Sequence, residues 1–148
     1  MSRNKTVLVC VTGQRDCDRL IRVGKRISDE RRIPLQVLCV QPTSAGFDTD
    51  GEELDYLRET ARDAGAEMTV YFNDDAPLMA VGVAKQIGAV HIVTGMAEAP
   101  VNGFVEVLHR FLPLIPISMV GKDGKIYNIC PAKKDEQAAK DLILQSGS

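Results

Sequence analysis

The chain has 148 residues, of which 45% are hydrophobic, and this suits one globular domain with a single core. Its 18 basic and 20 acidic residues give a formal net charge of −2, so no overall positive field favours nucleic acid or anionic lipid. No apolar run reaches the about 18 to 20 residues that cross a bilayer, and no signal-peptide pattern opens the chain. We therefore expect a cytoplasmic protein that neither inserts into membranes nor binds nucleic acid.

The first half of the chain alternates between strand and helix patterns. Residues 7–11 form a continuous apolar run, which is typical of a strand that is covered on both faces. From Asp16 the apolar residues recur at helical spacing, and residues 33–40 return to a strand pattern. Residues 41–50 are rich in Pro, Thr, Ser, Gly and Asp, so they predict a surface loop. A helix at residues 51–64 follows this loop.

The second half continues the same alternation. Residues 67–72 predict a strand, after which Asn73 or Asp74 caps a helix that Gly88 ends. A strand at 90–94, a helix at 101–111 and a strand at 115–120 follow, and a turn then allows a short sixth strand at 125–130. Every crossover is long enough for a parallel connection. The pattern predicts an α/β fold, a doubly wound open parallel five-stranded sheet with helices on both faces, over residues 1–130, and a C-terminal tail at 131–148.

Two of the predicted strands run into a glycine, at Gly13 and at Gly95. The carboxyl ends of neighbouring strands in such a sheet form a crevice where the strand order reverses, and glycine lets the backbone pass close to a ligand there. Thr12 and Gln14 flank the first glycine and offer polar groups to the crevice. The alternative, in which both glycines serve only tight turns, stays open.

The motifs resemble those of the universal stress protein family over residues 5–120. The family's first strand ends in Val-Asp-Gly-Ser, where this chain has Val11-Thr12-Gly13-Gln14. The family's glycine-rich loop, G-x2-G-x9-G followed by Ser or Thr, corresponds to Gly95, a shortened loop, Gly103 and Phe104. A strand like the family's Pro-Val-Leu-Val-Val follows at residues 116–120. The resemblance implies the strand order 3-2-1-4-5.

The same resemblance implies an adenine nucleotide, ATP or AMP, with no metal beyond a nucleotide-bound Mg. The phosphate loop is degenerate, because its middle glycine is missing and a phenyl ring replaces a hydroxyl that would bind phosphate. The residues predicted to contact the nucleotide follow the strand ends and the shortened loop: Thr12, Gly13, Gln14, Val40, Thr94, Gly95, Gly103 and Phe104.

The segment from Cys10 to Arg22 is also similar to the stress-protein-like domain of potassium-sensing histidine kinases, which implies a sensory module. Arg15, Arg19 and Arg22 share one edge of the first predicted helix, where a solvated face is a stronger interpretation than an anion site. For Asp74 and Asp75, a helix N-cap is a stronger interpretation than a metal site.

No G-x-S-x-G, H-E-x-x-H or Walker motif occurs, so we predict that the protein is not an enzyme. The leading hypothesis is a non-catalytic stress-response or signalling module of universal stress protein type that senses an adenine nucleotide. In the family's strand order the fifth strand is a sheet edge, so we expect a homodimer through it. One alternative is an interaction scaffold without nucleotide binding, whose loop at 41–50 or tail engages a membrane transporter or kinase. A second is a nucleotide-hydrolysing enzyme.

Overall fold

The structure is a computed structural model and describes residues 5–43, 51–96 and 103–131. Within these ranges six strands form one sheet: β1 (Thr6–Val11), β2 (Leu35–Gln41), β3 (Glu67–Phe72), β4 (Ala89–Gly95), β5 (Ile117–Val120) and β6 (Ile126–Ile129). The α-helices are α1 (Asp18–Arg31), α2 (Gly51–Asp63), α3 (Ala76–Ile87) and α4 (Phe104–Phe111), and a short 3-10 helix at Arg15–Cys17 precedes α1. No helix in this part of the chain is long and apolar enough to cross a membrane.

The strands lie in the order β3-β2-β1-β4-β5-β6. β1 pairs in parallel with β2 and with β4, so that Val9 lies between Val37 and Val93 at the centre of the sheet. β3 and β5 extend the sheet in parallel, and β6 adds to β5 in the antiparallel direction. The predicted doubly wound fold, its strand order and the additional short strand are all confirmed.

The prediction that the fifth strand is a free edge is wrong. β5 is hydrogen-bonded on both sides, because the chain turns back after it and lays β6 along its outer side. Gly124 adopts a φ of 86°, and the amide of Gly121 donates to the carbonyl of Lys125 at 2.8 Å, which closes the turn. A homodimer stays a prediction, but β5 has no unpaired edge through which a second copy could bind.

Apolar residues fill both faces of the sheet, as a doubly wound fold requires. One face packs against α1 and α2, where Ile21 and Leu57 are fully buried. The other packs against α3 and α4, where Ala80 and Leu108 are fully buried. All six residues of β1 are buried, which explains why residues 7–11 form a continuous apolar run.

Two neighbouring aspartates fix the start of α3 and the chain before it. Asp75 is the N-cap, because its side chain accepts a hydrogen bond from the Leu78 amide at 3.2 Å. The sequence-based choice of Asn73 or Asp74 as the cap of this helix is therefore wrong by one or two residues. Asp74 instead accepts bonds from the amide and hydroxyl of Thr43, each at 2.9 Å. Asp75 therefore has the N-cap role that the sequence interpretation gave to this pair, and Asp74 holds Thr43.

A carboxylate network joins α1 to α2. The hydroxyl of Tyr56 donates to Asp18 at 2.6 Å, and Arg22 contacts the same carboxylate at 2.9 Å. Burial alone would raise the pKa of Asp18, but these two hydrogen bonds and the positive charge of Arg22 together hold that pKa below the ordinary value of an aspartate. A group whose pKa is lowered in the folded state stabilises the protein above its unfolded pKa, and that contribution is lost as the pH falls through the folded pKa.

Replacing Tyr56 with phenylalanine is expected to destabilise the protein by about 1–2 kcal/mol at pH 7, because a hydrogen bond to a charged carboxylate is lost. The difference from the unmodified protein should shrink as Asp18 becomes protonated in acid. Urea unfolding across the pH range measures it, and Tyr71→Phe, at an exposed tyrosine of β3, is the control. An equal loss at pH 7 and at pH 3 would assign the effect to packing instead.

Candidate functional site

A cavity of about 430 Å³ opens at the carboxyl ends of β1 and β4, between the two helical layers. This is the point where the strand order reverses, since the chain leaves β1 toward β2 on one side while β4 lies on the other. We call this cavity the crevice. Six of the eight predicted site residues line it: Thr12, Gln14, Val40, Thr94, Gly95 and Phe104.

The other two predicted residues, Gly13 and Gly103, are not among the residues that line the crevice. Gly13 is buried beside the end of β2, and a Cβ atom there would lie 2.6 Å from Nε2 of Gln41. Gly103 is exposed at the N-terminus of α4, where its carbonyl accepts the Val107 amide at 2.8 Å. Both glycines have structural reasons for their positions, and their contact with a ligand stays a prediction.

The wall of the crevice is mainly apolar. Leu38 and Val40 of β2, Ala80 of α3 and Phe104 of α4 all contribute to it. Polar residues line it at a few points, among them Thr94. Small-molecule sites are usually apolar cavities of about 300 to 1,000 Å³ with a small number of placed polar groups. A flat aromatic base suits such walls.

Cysteines lie in and behind the crevice wall. Burial raises the pKa of Cys10 to about 12, so its thiol stays protonated at neutral pH and is a poor nucleophile. Cys17 lies 3.4 Å from the hydroxyl of Thr12, and the thiol of Cys39 donates to the Thr12 carbonyl at 3.6 Å. These contacts hold the loop after β1 in place, so the thiols act as packing groups.

Arg19 is the crevice residue that the sequence-based interpretation assigned to solvent. Arg15 and Arg22 do lie on the solvated face, where they pair with Glu53 and Asp18. The Arg19 side chain turns the other way and donates to the carbonyl of Gly121, at the end of β5, at 3.0 Å. The helical spacing of the three arginines gave no signal for this difference, because the partner of Arg19 lies 102 residues further along the chain.

A serine and a histidine meet outside the crevice. Nε2 of His91 lies 2.8 Å from the hydroxyl of Ser118, which donates its own proton to Oδ1 of Asn128 at 2.6 Å. The histidine nitrogen must then donate to the serine oxygen, the reverse of what a general base does for a nucleophile. Burial and the charge of Arg31 lower the pKa of His91. This network stabilises the pairing of β4, β5 and β6, and Ser118 is buried.

Within residues 5–43, 51–96 and 103–131, no group of three or more His, Cys, Asp or Glu side chains is arranged to hold a metal ion. Asp16 is the acidic residue at the crevice, and its carboxylate lies 3.5 Å from Nη1 of Arg19. The described lining therefore offers an ion pair and hydrogen-bonding groups to a ligand.

A doubly wound α/β sheet with a crevice over β1 and β4 defines the class of this protein. Solved universal stress proteins share the fold. One, in complex with cAMP, is 18% identical, with 82% of this chain and 99% of that chain covered and a TM-score of 0.59. Another, from Archaeoglobus fulgidus in complex with dAMP, is 18% identical, with coverage of 80% and 98% and a TM-score of 0.54. The chain has the universal stress protein fold, and the resemblance predicted from its motifs is confirmed.

Curated relatives extend the comparison. The sensor protein KdpD of Mycobacterium tuberculosis is 29% identical over 92 residues, in each of two strains. The match covers 62% of this chain and 11% of KdpD, so the chain spans only about a tenth of the length of the relatives it matches. This partial match fits the sensory module that the sequence resemblance implies. No protein-family model matches the chain.

Proposed function

We propose that this protein is a non-catalytic stress-response or signalling module that binds an adenine nucleotide in the crevice. The observation that carries the proposal is the crevice itself, a cavity of about 430 Å³ at the strand-order reversal. Ligands of open α/β sheets bind at this position. Thr12, Gln14, Val40, Thr94, Gly95 and Phe104 are proposed to contact the nucleotide.

Two features support an adenine nucleotide. The apolar wall formed by residues such as Val40, Ala80 and Phe104 suits a flat base. Two solved proteins with the same fold are complexes with cAMP and with dAMP. The shortened loop between Gly95 and Gly103 has fewer backbone amides than the motif it resembles, which favours a ligand with few phosphate oxygens.

Binding without turnover is proposed because the described crevice residues supply no paired nucleophile and base. The Cys10 thiol is protonated, and Ser118, the described serine that contacts His91, lies elsewhere in the sheet. A signalling role is supported by the matched relative, whose name is that of a sensor protein. The binding of nucleotide would then bias the contacts of the module with a partner.

Calorimetric titration of the purified chain with cAMP, AMP and ATP tests this proposal. We expect saturable binding of AMP or cAMP in the micromolar range. Gly95→Val should abolish it, because a valine side chain at this position extends into the crevice while the strand tolerates a β-branched residue. Gly95→Ala is the matched control, since a Cβ atom there would make only ordinary contacts, at 3.6 Å, with Arg19 and Leu20.

The outcomes separate the three functions. Circular dichroism must show both Gly95 variants folded. If the unmodified chain binds none of the nucleotides, the proposal is overturned and the interaction scaffold is favoured. If nucleotide is consumed, and consumption is lost in Gly95→Val but not in Gly95→Ala, the protein is an enzyme.

A further inference from the structure

The guanidinium of Arg19 is held in a fixed position at the edge of the crevice. Nε donates to the Gly121 carbonyl at 3.0 Å, Nη2 to the Val120 carbonyl at 3.3 Å, and Nη1 to the Asp16 carbonyl at 2.7 Å. These three bonds anchor a side chain of the first turn of α1 to the end of β5. About a fifth of the side chain, 21%, is exposed. The position of the charge is thus set by the folded backbone before any ligand arrives.

The same guanidinium keeps donors for a ligand. Arg carries five N–H groups, and the three backbone bonds use one on each nitrogen, so Nη1 and Nη2 each have a second. The carboxylate of Asp16, which lies 3.5 Å from Nη1, competes for the second N–H group of that nitrogen. Nη2 lies 3.6 Å from the point where a Cβ atom on Gly95 would stand, so it lies beside the glycine at the end of β4.

The charges along the crevice limit what it can hold. The described lining has two basic side chains, Arg19 and Lys122, and one carboxylate, Asp16. The formal charges of these three side chains sum to +1. A phosphodiester brings one negative charge and a phosphate monoester about 1.5 to 2, so either lies closer to this lining charge than a triphosphate does. A fixed guanidinium with donors to spare binds phosphate oxygens strongly.

We propose that Arg19 is the phosphate-recognition residue of the crevice, and that through it the protein prefers adenine nucleotides with one phosphate group over adenosine and over ATP. This inference rests on the proposed function and deepens it. The shortened loop after Gly95 has fewer backbone amides with which to bind an anion. Arg19, on α1, supplies the anion contact with its side chain instead. The preference for one phosphate then follows from one guanidinium at one fixed place.

Calorimetric titration with adenosine, AMP, cAMP and ATP measures the contribution of the phosphate in each variant, as the ratio of the adenosine Kd to the AMP Kd. For the unmodified chain we expect a ratio of about ten or more. Arg19→Gln should bring the ratio close to one, and Arg19→Lys, which keeps the charge but not the fork of donors, should give an intermediate value. Arg22→Gln is the matched control, because Arg22 lies one turn further along α1 and pairs with Asp18 outside the crevice.

The ratio separates recognition from a purely structural role. If Arg19 only braces β5, its loss weakens adenosine and AMP equally and the ratio is unchanged, which overturns the inference. A ratio near one in the unmodified chain, or tighter binding of ATP than of AMP, also overturns it, and neither result depends on a variant that folds. Equal binding of adenosine and AMP leaves the proposed function intact, whereas a chain that binds none of the four ligands removes the proposed function and this inference together.

Discussion

Replacing Gly24 with alanine is expected to destabilise the protein by about 1–3 kcal/mol, although alanine is the better helix former by about 1 kcal/mol. A Cβ atom at this position of α1 would lie 2.3 Å from Cγ2 of Val9 and 3.1 Å from Cδ1 of Leu35. Both side chains are buried in the sheet beneath the helix and are tightly packed, so the helix must shift away from β1. Gly24 thus lets α1 pack closely against the central strand.

Gly82→Ala is the matched control, because Gly82 lies within α3 and no atom stands within 4 Å of the Cβ position. This variant should stabilise the protein by about 0.5–1 kcal/mol through helix propensity alone. Urea unfolding of both variants measures the contrast in sign. Val9→Ala should relieve the clash, so the double variant with Gly24→Ala should be more stable than the sum of the two single effects. Stabilisation by Gly24→Ala would contradict the close packing.

Replacing Leu108 with alanine is expected to destabilise the protein by about 2–5 kcal/mol. α4 has only eight residues, and a helix of that length does not persist in water without tertiary contacts. Leu108 is the residue that α4 buries completely, against the face of the sheet shared with α3. Its truncation leaves a cavity under the helix and removes the main contact that holds it.

Phe111→Ala on the same helix is the control, since Phe111 is 47% exposed and its loss should cost about 0.5 kcal/mol. Denaturant unfolding gives both values, and hydrogen exchange of the α4 amides shows whether the loss is local. Phe104 and Val105 of α4 line the crevice, so Leu108→Ala should also weaken nucleotide binding while Phe111→Ala does not. Equal losses in the two variants would show that α4 is not held by Leu108.

The alternation of strands and helices could be predicted from the sequence because apolar residues recur at different periods in strands and in helices. The apolar run at residues 7–11 became β1, and the strand at Glu67–Phe72 was predicted with its observed bounds. The start of α1 was less accurate, because Arg15–Cys17 forms a 3-10 helix before the α-helix begins at Asp18. Helix ends depend on local hydrogen bonds that apolar spacing does not reveal.

The candidate site was predicted in part. The strand ends at Thr12 and Thr94 could be placed at one crevice because parallel strands bring their carboxyl ends together. Arg19 was missed since it is one of three arginines predicted on the same edge of the helix, and the position of the Gly121 carbonyl distinguishes it. The loop at residues 41–50 and the tail at 131–148, where a transporter or kinase partner was predicted to bind, lie mostly outside the described residues, which include 41–43 and 131.

The antiparallel β6 sets a condition on any self-association through the fifth strand. For a second copy to hydrogen-bond to β5, the hairpin closed by Gly121 and Lys125 would first have to peel away and give up its ladder from Ile117 to Val120. Assembly by that route would be linked to local unfolding, and its rate would be limited by the opening of the hairpin. An incoming strand that left the monomer unchanged would instead meet Tyr127 and Ile126 on the outer rim of the sheet.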